Sequence, residues 1–169
     1  MFRRVLLAAT MSLVLVLPAG AVSASPCWRP PVIGVLIDRF REPPCPYCAG
    51  NRGLEYRVGG RAAVSAVAAG EVTWVGQVAG VRYVVVGLAN GWQLTYGRLA
   101  STPLRRGDRV VSGSIVGRAE RGFYFGLRVD GRYRDPEPYL GRLVGRPRLI
   151  PVDGAAARPA PPPRLRCGA

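Results

Sequence analysis

The chain has 169 residues, enough for one domain with tails, and a net charge of +14. Every basic residue is an arginine, and the sequence contains neither lysine nor histidine. Those absences exclude chemistry that runs through an imidazole and exclude a carrier domain built around a modified lysine.

Residues 1–24 read as a secretory signal peptide. Arg3 and Arg4 begin it, residues 5–17 form an apolar run, Pro18 and Gly20 break the run, and Val22-Ser23-Ala24 offers small residues to a signal peptidase. The apolar run is about 13 residues long, whereas a membrane span needs roughly 20. No later stretch could span a bilayer, so no transmembrane segment is expected after cleavage. Loss of Arg3 and Arg4 takes the charge from +14 to +12. All four cysteines, Cys27, Cys45, Cys48 and Cys167, follow the signal. An even number in an exported chain favours disulfides, and the spacing leaves all three pairings open.

Residues 25–50 form a Pro- and Cys-rich lead-in. Pro30-Pro31 and Pro43-Pro44 cannot lie inside a helix or a central strand. Residues 51–145 are the body of the domain. Strands are expected over 63–68 and 71–77 around a turn at Gly70, then over 82–88, Gln93–Leu99 and Gly122–Val129. Asn90-Gly91 and Asp130-Gly131 are hairpin signals. No stretch holds a helical period, so at most a short helix is expected near 136–142. The fold class is therefore all-β, with antiparallel sheets and few or no helices apart from the signal segment. Residues 146–169 are a Pro-, Ala- and Arg-rich C-terminal tail. It buries too little apolar surface to order itself unless Cys167 ties it down.

The order of short motifs within 51–140 is specific. Asn51-Arg52-Gly53-Leu54-Glu55 comes first, then Ala66 to Gly70 and Val72, then Tyr96-Gly97-Arg98-Leu99. Gly107-Asp108-Arg109-Val110 follows, with Gly113 and Gly117 spaced behind it. Phe125, Arg128 and Gly131 come next, and Asp135-Pro136 closes the series. This series resembles the β-sheet core of the lysostaphin-type (LytM-type) zinc metallopeptidases of bacterial cell walls. Members of that family read H-x-G-x-D, A-x-x-x-G-x-V, Y-x-H-L, G-D-x-V-x-x-G-x-x-I-G, H-x-H-F-x-x-R-x-x-G and D-P. Gly70, Gly107, Gly113 and Gly117 fall at the family's turn positions, where positive φ or close approach is needed. The resemblance implies a barrel-sandwich-like fold and a groove shaped for peptidoglycan stem peptides.

The departures from the family pattern fall on its chemistry. The resemblance implies that zinc would be held by the first His and the Asp of H-x-G-x-D and by the second His of H-x-H. The remaining two histidines would orient or activate water. Here Asn51 stands for the first ligand, Glu55 for the Asp, Arg98 for the His of Y-x-H-L, and Gly122 and Tyr124 for the pair in H-x-H. No catalytic or metal-binding residue remains, and no zinc or other cofactor is expected. One expectation for the site is that the Arg98 guanidinium takes the space of the metal and pairs with Glu55, with Tyr124 and Asn51 hydrogen-bonding nearby; the alternative is that the Arg98 and Glu55 side chains both point to solvent.

Cys45-Pro46-Tyr47-Cys48 matches a thiol–disulfide redox motif, but the prolines before it and Gly50 after it do not suit a helix N-terminus at Cys45. Structural disulfides are the plainer reading. The arginines are scattered and no aromatic stacking platform is evident, so with export no nucleic-acid partner is expected. The sequence as a whole reads as a secreted or envelope-associated, monomeric, non-catalytic homologue of a peptidoglycan endopeptidase. Its expected partner is peptidoglycan or a cell-wall hydrolase. The alternatives are an active endopeptidase of the family and a redox protein working through Cys45 and Cys48.

Overall fold

A computed structural model describes residues 26–45, 47–145, 152 and 159–167. The signal peptide expected over 1–24 and most of the C-terminal tail lie outside the described residues. Among them the strands are, in chain order, β1 Val35–Asp38, β2 Leu54–Arg57, β3 Ala62–Ser65, β4 Gly70–Val78, β5 Val81–Gly87, β6 Gln93–Leu99, β7 Arg109–Val110, β8 Ile115–Ala119, β9 Gly122–Val129, β10 Arg132–Arg134, β11 Arg142–Val144 and β12 Arg164–Arg166. No α-helix forms among the described residues, and none of their helices could cross a membrane. The short helix expected near 136–142 is a single 3₁₀ turn, Glu137–Tyr139.

One large antiparallel sheet runs β1-β2-β9-β6-β5-β4-β7, with β10 folded back on the second half of β9. A small sheet, β3-β8, packs across its inner face, and β11-β12 is a separate ribbon. Alternation builds the core. Leu54, Val72, Val84, Val86, Leu94, Tyr96, Phe123, Phe125 and Leu127 are fully buried residues of the large sheet, and Val64, Val116 and Ala119 meet them from the small one. Tyr96 also accepts a hydrogen bond from the backbone of Val67 at 3.0 Å, which ties the core to the connection between the sheets.

The turns follow local chemistry. Ala79-Gly80 and Asp130-Gly131 take positive φ at both residues, as two-residue hairpin loops require. At Asn90-Gly91 only the glycine does so (φ 82), giving a three-residue loop closed by Leu88 and Trp92. Gly107 and Gly113 have φ of 92 and 90, while a Cβ on Gly70 or Gly117 would lie 2.4 Å from a carbonyl oxygen. All four expected turn or close-approach glycines are therefore needed where they stand.

Two segments behave differently from their composition. The expected strand over 63–68 stops at Ser65, because Ala66 leaves the small sheet to bond Ser114 and Gly113. The lead-in supplies β1, which pairs with β2, and Trp28 is buried against Trp92 and Tyr139. At the other end, Cys167 is bonded to Cys27, and β12 pairs with β11. The condition set for the tail is met over its last described residues.

Candidate functional site

The outer face of the large sheet forms an open cleft of about 440 Å³. Its lining includes Glu55, Trp74, Tyr83, Arg98, Tyr124 and Arg128. Alternation explains several of these positions, since Glu55 and Tyr124 lie between buried neighbours on β2 and β9, and Tyr83 precedes the buried Val84 on β5.

Arg98 does not follow from alternation. On β6 the buried residues Leu94 and Tyr96 are two apart, so the side chain at 98 should point into the core. Instead the β5–β6 register slips here, with Tyr83 opposite Gly97 and Arg82 opposite Leu99. Arg98 is the extra residue of a bulge, with φ 58, a left-handed conformation usually left to glycine. The bulge turns the side chain out to the cleft. There its Nη2 donates to Glu55 Oε1 at 2.8 Å. Nη1 lies 3.6 Å from where a Cβ on Gly122 would sit. The guanidinium thus fills the space that a side chain at 122 would take, and the expected Arg98–Glu55 pair is present.

Asn51 does not join that pair. Its amide donates to Arg39 O at 3.1 Å, and its Oδ1 accepts from Gly53 N at 3.3 Å. Its backbone exchanges two bonds with Arg41, at 2.8 and 3.0 Å. Asn51 is buried and closes the loop of residues 42–50, because an unpaired amide would be costly there. Tyr124 belongs to the cleft floor. A Cβ on Gly53 would lie 2.7 Å from its ring, and one on Gly126 would lie 2.8 Å from its hydroxyl oxygen. Burial pushes its phenol well above the usual range, and nearby Tyr133 and Tyr83 add to this against Arg128 and Arg52. It therefore stays a neutral donor at ordinary pH.

The floor carries residues that the sequence reading overlooked. The absence of an aromatic platform is corrected by Trp74, Tyr83 and Tyr124, which lie together on one face. Tyr83 meets Tyr124 edge-on, with centroids 6.4 Å apart. At one end Arg128 lies 4.3 Å and Arg52 5.6 Å from the Tyr133 ring, and Arg128 also bonds the Tyr133 hydroxyl. The signal available in the sequence was aromatic residues spaced two apart from glycine on strands, as in Trp74-x-Gly76 and Tyr124-x-Gly126.

All four cysteines are bonded, Cys27 to Cys167 and Cys45 to Cys48. The Cys45–Cys48 turn leads to the Arg41–Asn51 bridge rather than into a helix, so no helix dipole is available to lower a thiol pKa. Among the described residues no three His, Cys, Asp or Glu side chains gather where they could hold a metal ion.

Comparison with known proteins places this geometry. A sequence profile described as Peptidase family M23 matches residues 49–136. Csd3 of Helicobacter pylori superposes with a TM-score of 0.60 at 21% identity over 69% of this chain, which spans only 33% of Csd3. A chain of the SpoIIQ–SpoIIIAH pore-forming complex gives 0.60 at 18% identity, over 69% of this chain and 92% of that one. Lysostaphin gives 0.60 at 17% identity, over 78% and 62%. At these identities the likeness is one of fold. No protein of curated function matches the chain.

Proposed function

The chain belongs to peptidase family M23, and from that premise we propose that it is a non-catalytic member, exported to the cell envelope, which uses the former active cleft to bind cell wall. One observation carries this reading. Two of the five positions at which the family pattern holds and activates a metal-bound water, 55 and 98, are taken by an arginine–carboxylate pair 2.8 Å apart.

The donor set argues the same way. Zinc needs nitrogen, oxygen or thiolate ligands converging on one point. Asn51 spends its amide on the loop of residues 42–50, Gly122 has no side chain, and Tyr124 holds its proton. Glu55 is the only remaining carboxylate, and its partner is a permanent cation. These residues do not fit the metal.

Two disulfides suit an oxidising compartment, and the family's wall peptidases act there, so export follows the same logic. The net charge of +14, or +12 once Arg3 and Arg4 leave with the signal, suits an anionic envelope. A second version, regulation of a wall hydrolase by docking, draws support from the likeness to a chain of a two-protein complex.

The test is co-sedimentation of the exported chain with purified insoluble peptidoglycan, alongside a zinc assay of metal-replete protein. Wall binding without stoichiometric zinc and without release of wall fragments is expected. Stoichiometric zinc with hydrolysis would sink the proposal.

A further inference from the structure

The middle of the cleft is the face of a sheet, not its edge. The ladders β2–β9, β9–β6, β6–β5 and β5–β4 run unbroken beneath it apart from the bulges. On β9, β6 and β5 the backbone donors and acceptors are already paired within the sheet. An extended peptide laid over β9, β6 and β5 finds no free strand to pair with, so recognition there falls to side chains, and an open backbone edge is met only at the rim, on β4 beyond Val72, where β7 has ended.

Those side chains are rings and guanidinium groups. A Cβ on Gly97 would stand 2.4 Å from the Tyr83 ring, one on Gly53 2.7 Å from Tyr124, and one on Gly76 2.6 Å from Trp74. The rings therefore rest directly on bare backbone and make a low, apolar floor. Trp74 is 39% exposed, on β4 where β7 no longer covers it. The surround is positive: Arg98 already neutralises Glu55, and Arg128 adds a further guanidinium to the lining.

We propose that this cleft recognises an anionic sugar chain, with pyranose rings stacked on the aromatic floor and their carboxylates met by the arginines. The inference rests on the wall-binding reading and names its chemistry. A pyranose has an apolar C–H face that suits a flat aromatic surface and a rim of hydroxyls that suits planar guanidinium forks. The excess positive charge selects rings that carry carboxylates. The volume of about 440 Å³ falls in the range of small-ligand sites and accepts one to two such rings.

The experiment uses the full exported chain and three soluble probes: a hexuronic-acid oligosaccharide, the same oligosaccharide with its carboxylates reduced to alcohols, and a short peptide with free carboxylates. Binding is read by calorimetry and by tryptophan fluorescence. The charged oligosaccharide is expected to bind, and the reduced one about tenfold or more weakly, as loss of a charge-assisted contact implies. Trp74→Ala and Arg128→Gln should each weaken it by about tenfold, with circular dichroism showing that both variants fold. Equal affinity for the reduced oligosaccharide, preference for the peptide, or indifference to both substitutions would overturn the inference. Sedimentation with insoluble wall separates the two readings. A chain that pellets with wall but ignores the oligosaccharide loses the sugar inference and keeps the wall-binding one, while failure to pellet counts against wall binding itself.

Discussion

Replacing Arg98 by glycine isolates the feature on which the site turns. Two opposing effects can be estimated. The left-handed backbone at φ 58 costs an ordinary L-residue about 1 kcal/mol, and glycine removes that cost. The substitution also breaks the ion pair with Glu55, whose side chains are 46% and 22% exposed. A pair that exposed is screened by solvent and contributes at most about 1 kcal/mol. The two nearly cancel, so Arg98→Gly should unfold within about 1 kcal/mol of the parent. Arg98→Ala loses the pair without relieving the backbone and should be about 1 kcal/mol less stable than Arg98→Gly. Urea unfolding followed by tryptophan fluorescence measures both. The wall-binding assay on the same proteins should show weaker retention for each, because the cleft loses a cation and the space over Gly122 opens. An alanine variant as stable as the glycine variant would refute the strained-bulge account.

Other outcomes follow from the same geometry. Tyr96→Phe leaves the buried Val67 N–H without its acceptor and should cost about 1–3 kcal/mol in urea unfolding. Alkali should destabilise the fold. Burial raises the Tyr56 phenol from 10.0 to about 12, and Tyr96 and Tyr124 are raised further by the same cause. The unfolded chain loses these protons first, so their stabilisation is complete below about pH 10 and is lost as pH rises through the folded values. Circular dichroism from pH 9 to pH 12 should show falling thermal stability, with a shallower fall in Tyr56→Phe. Removing Cys27–Cys167, which closes 140 residues, should cost up to about 5 kcal/mol by loop entropy, against roughly 2 for Cys45–Cys48, which closes three. Denaturation of the two double-serine variants should keep that order.

Local chemistry carried the expected fold where it was sufficient. Asp130-Gly131 and the glycines at 107 and 113 demand positive φ, and residue type alone reveals such positions. Alternation over Gln93–Leu99 and Gly122–Val129 was equally readable. The role of β1 was not. Val35–Asp38 is too short and too flanked by proline to announce itself, and it gains order only by pairing with β2 some 20 residues later. The end of the tail was hidden for a related reason. Its strand depends on β11 and on a disulfide to the opposite terminus, and non-local pairing leaves no trace in a window of residues.

At the site the division is sharper. The sequence by itself determined that no imidazole is present and which residue stands at each position where the family pattern places a metal ligand or water-activating histidine. It established Arg98 and Glu55 as the two charges available there. Only the tertiary structure decided what those residues do. Alternation assigns faces only while register holds, and the bulge at Arg98 adds one residue and reverses the face. Asn51 was turned from the cleft by a loop that needed its amide more. Trp74, Tyr83 and Tyr124 come from three strands, and only sheet pairing brings their rings onto one floor.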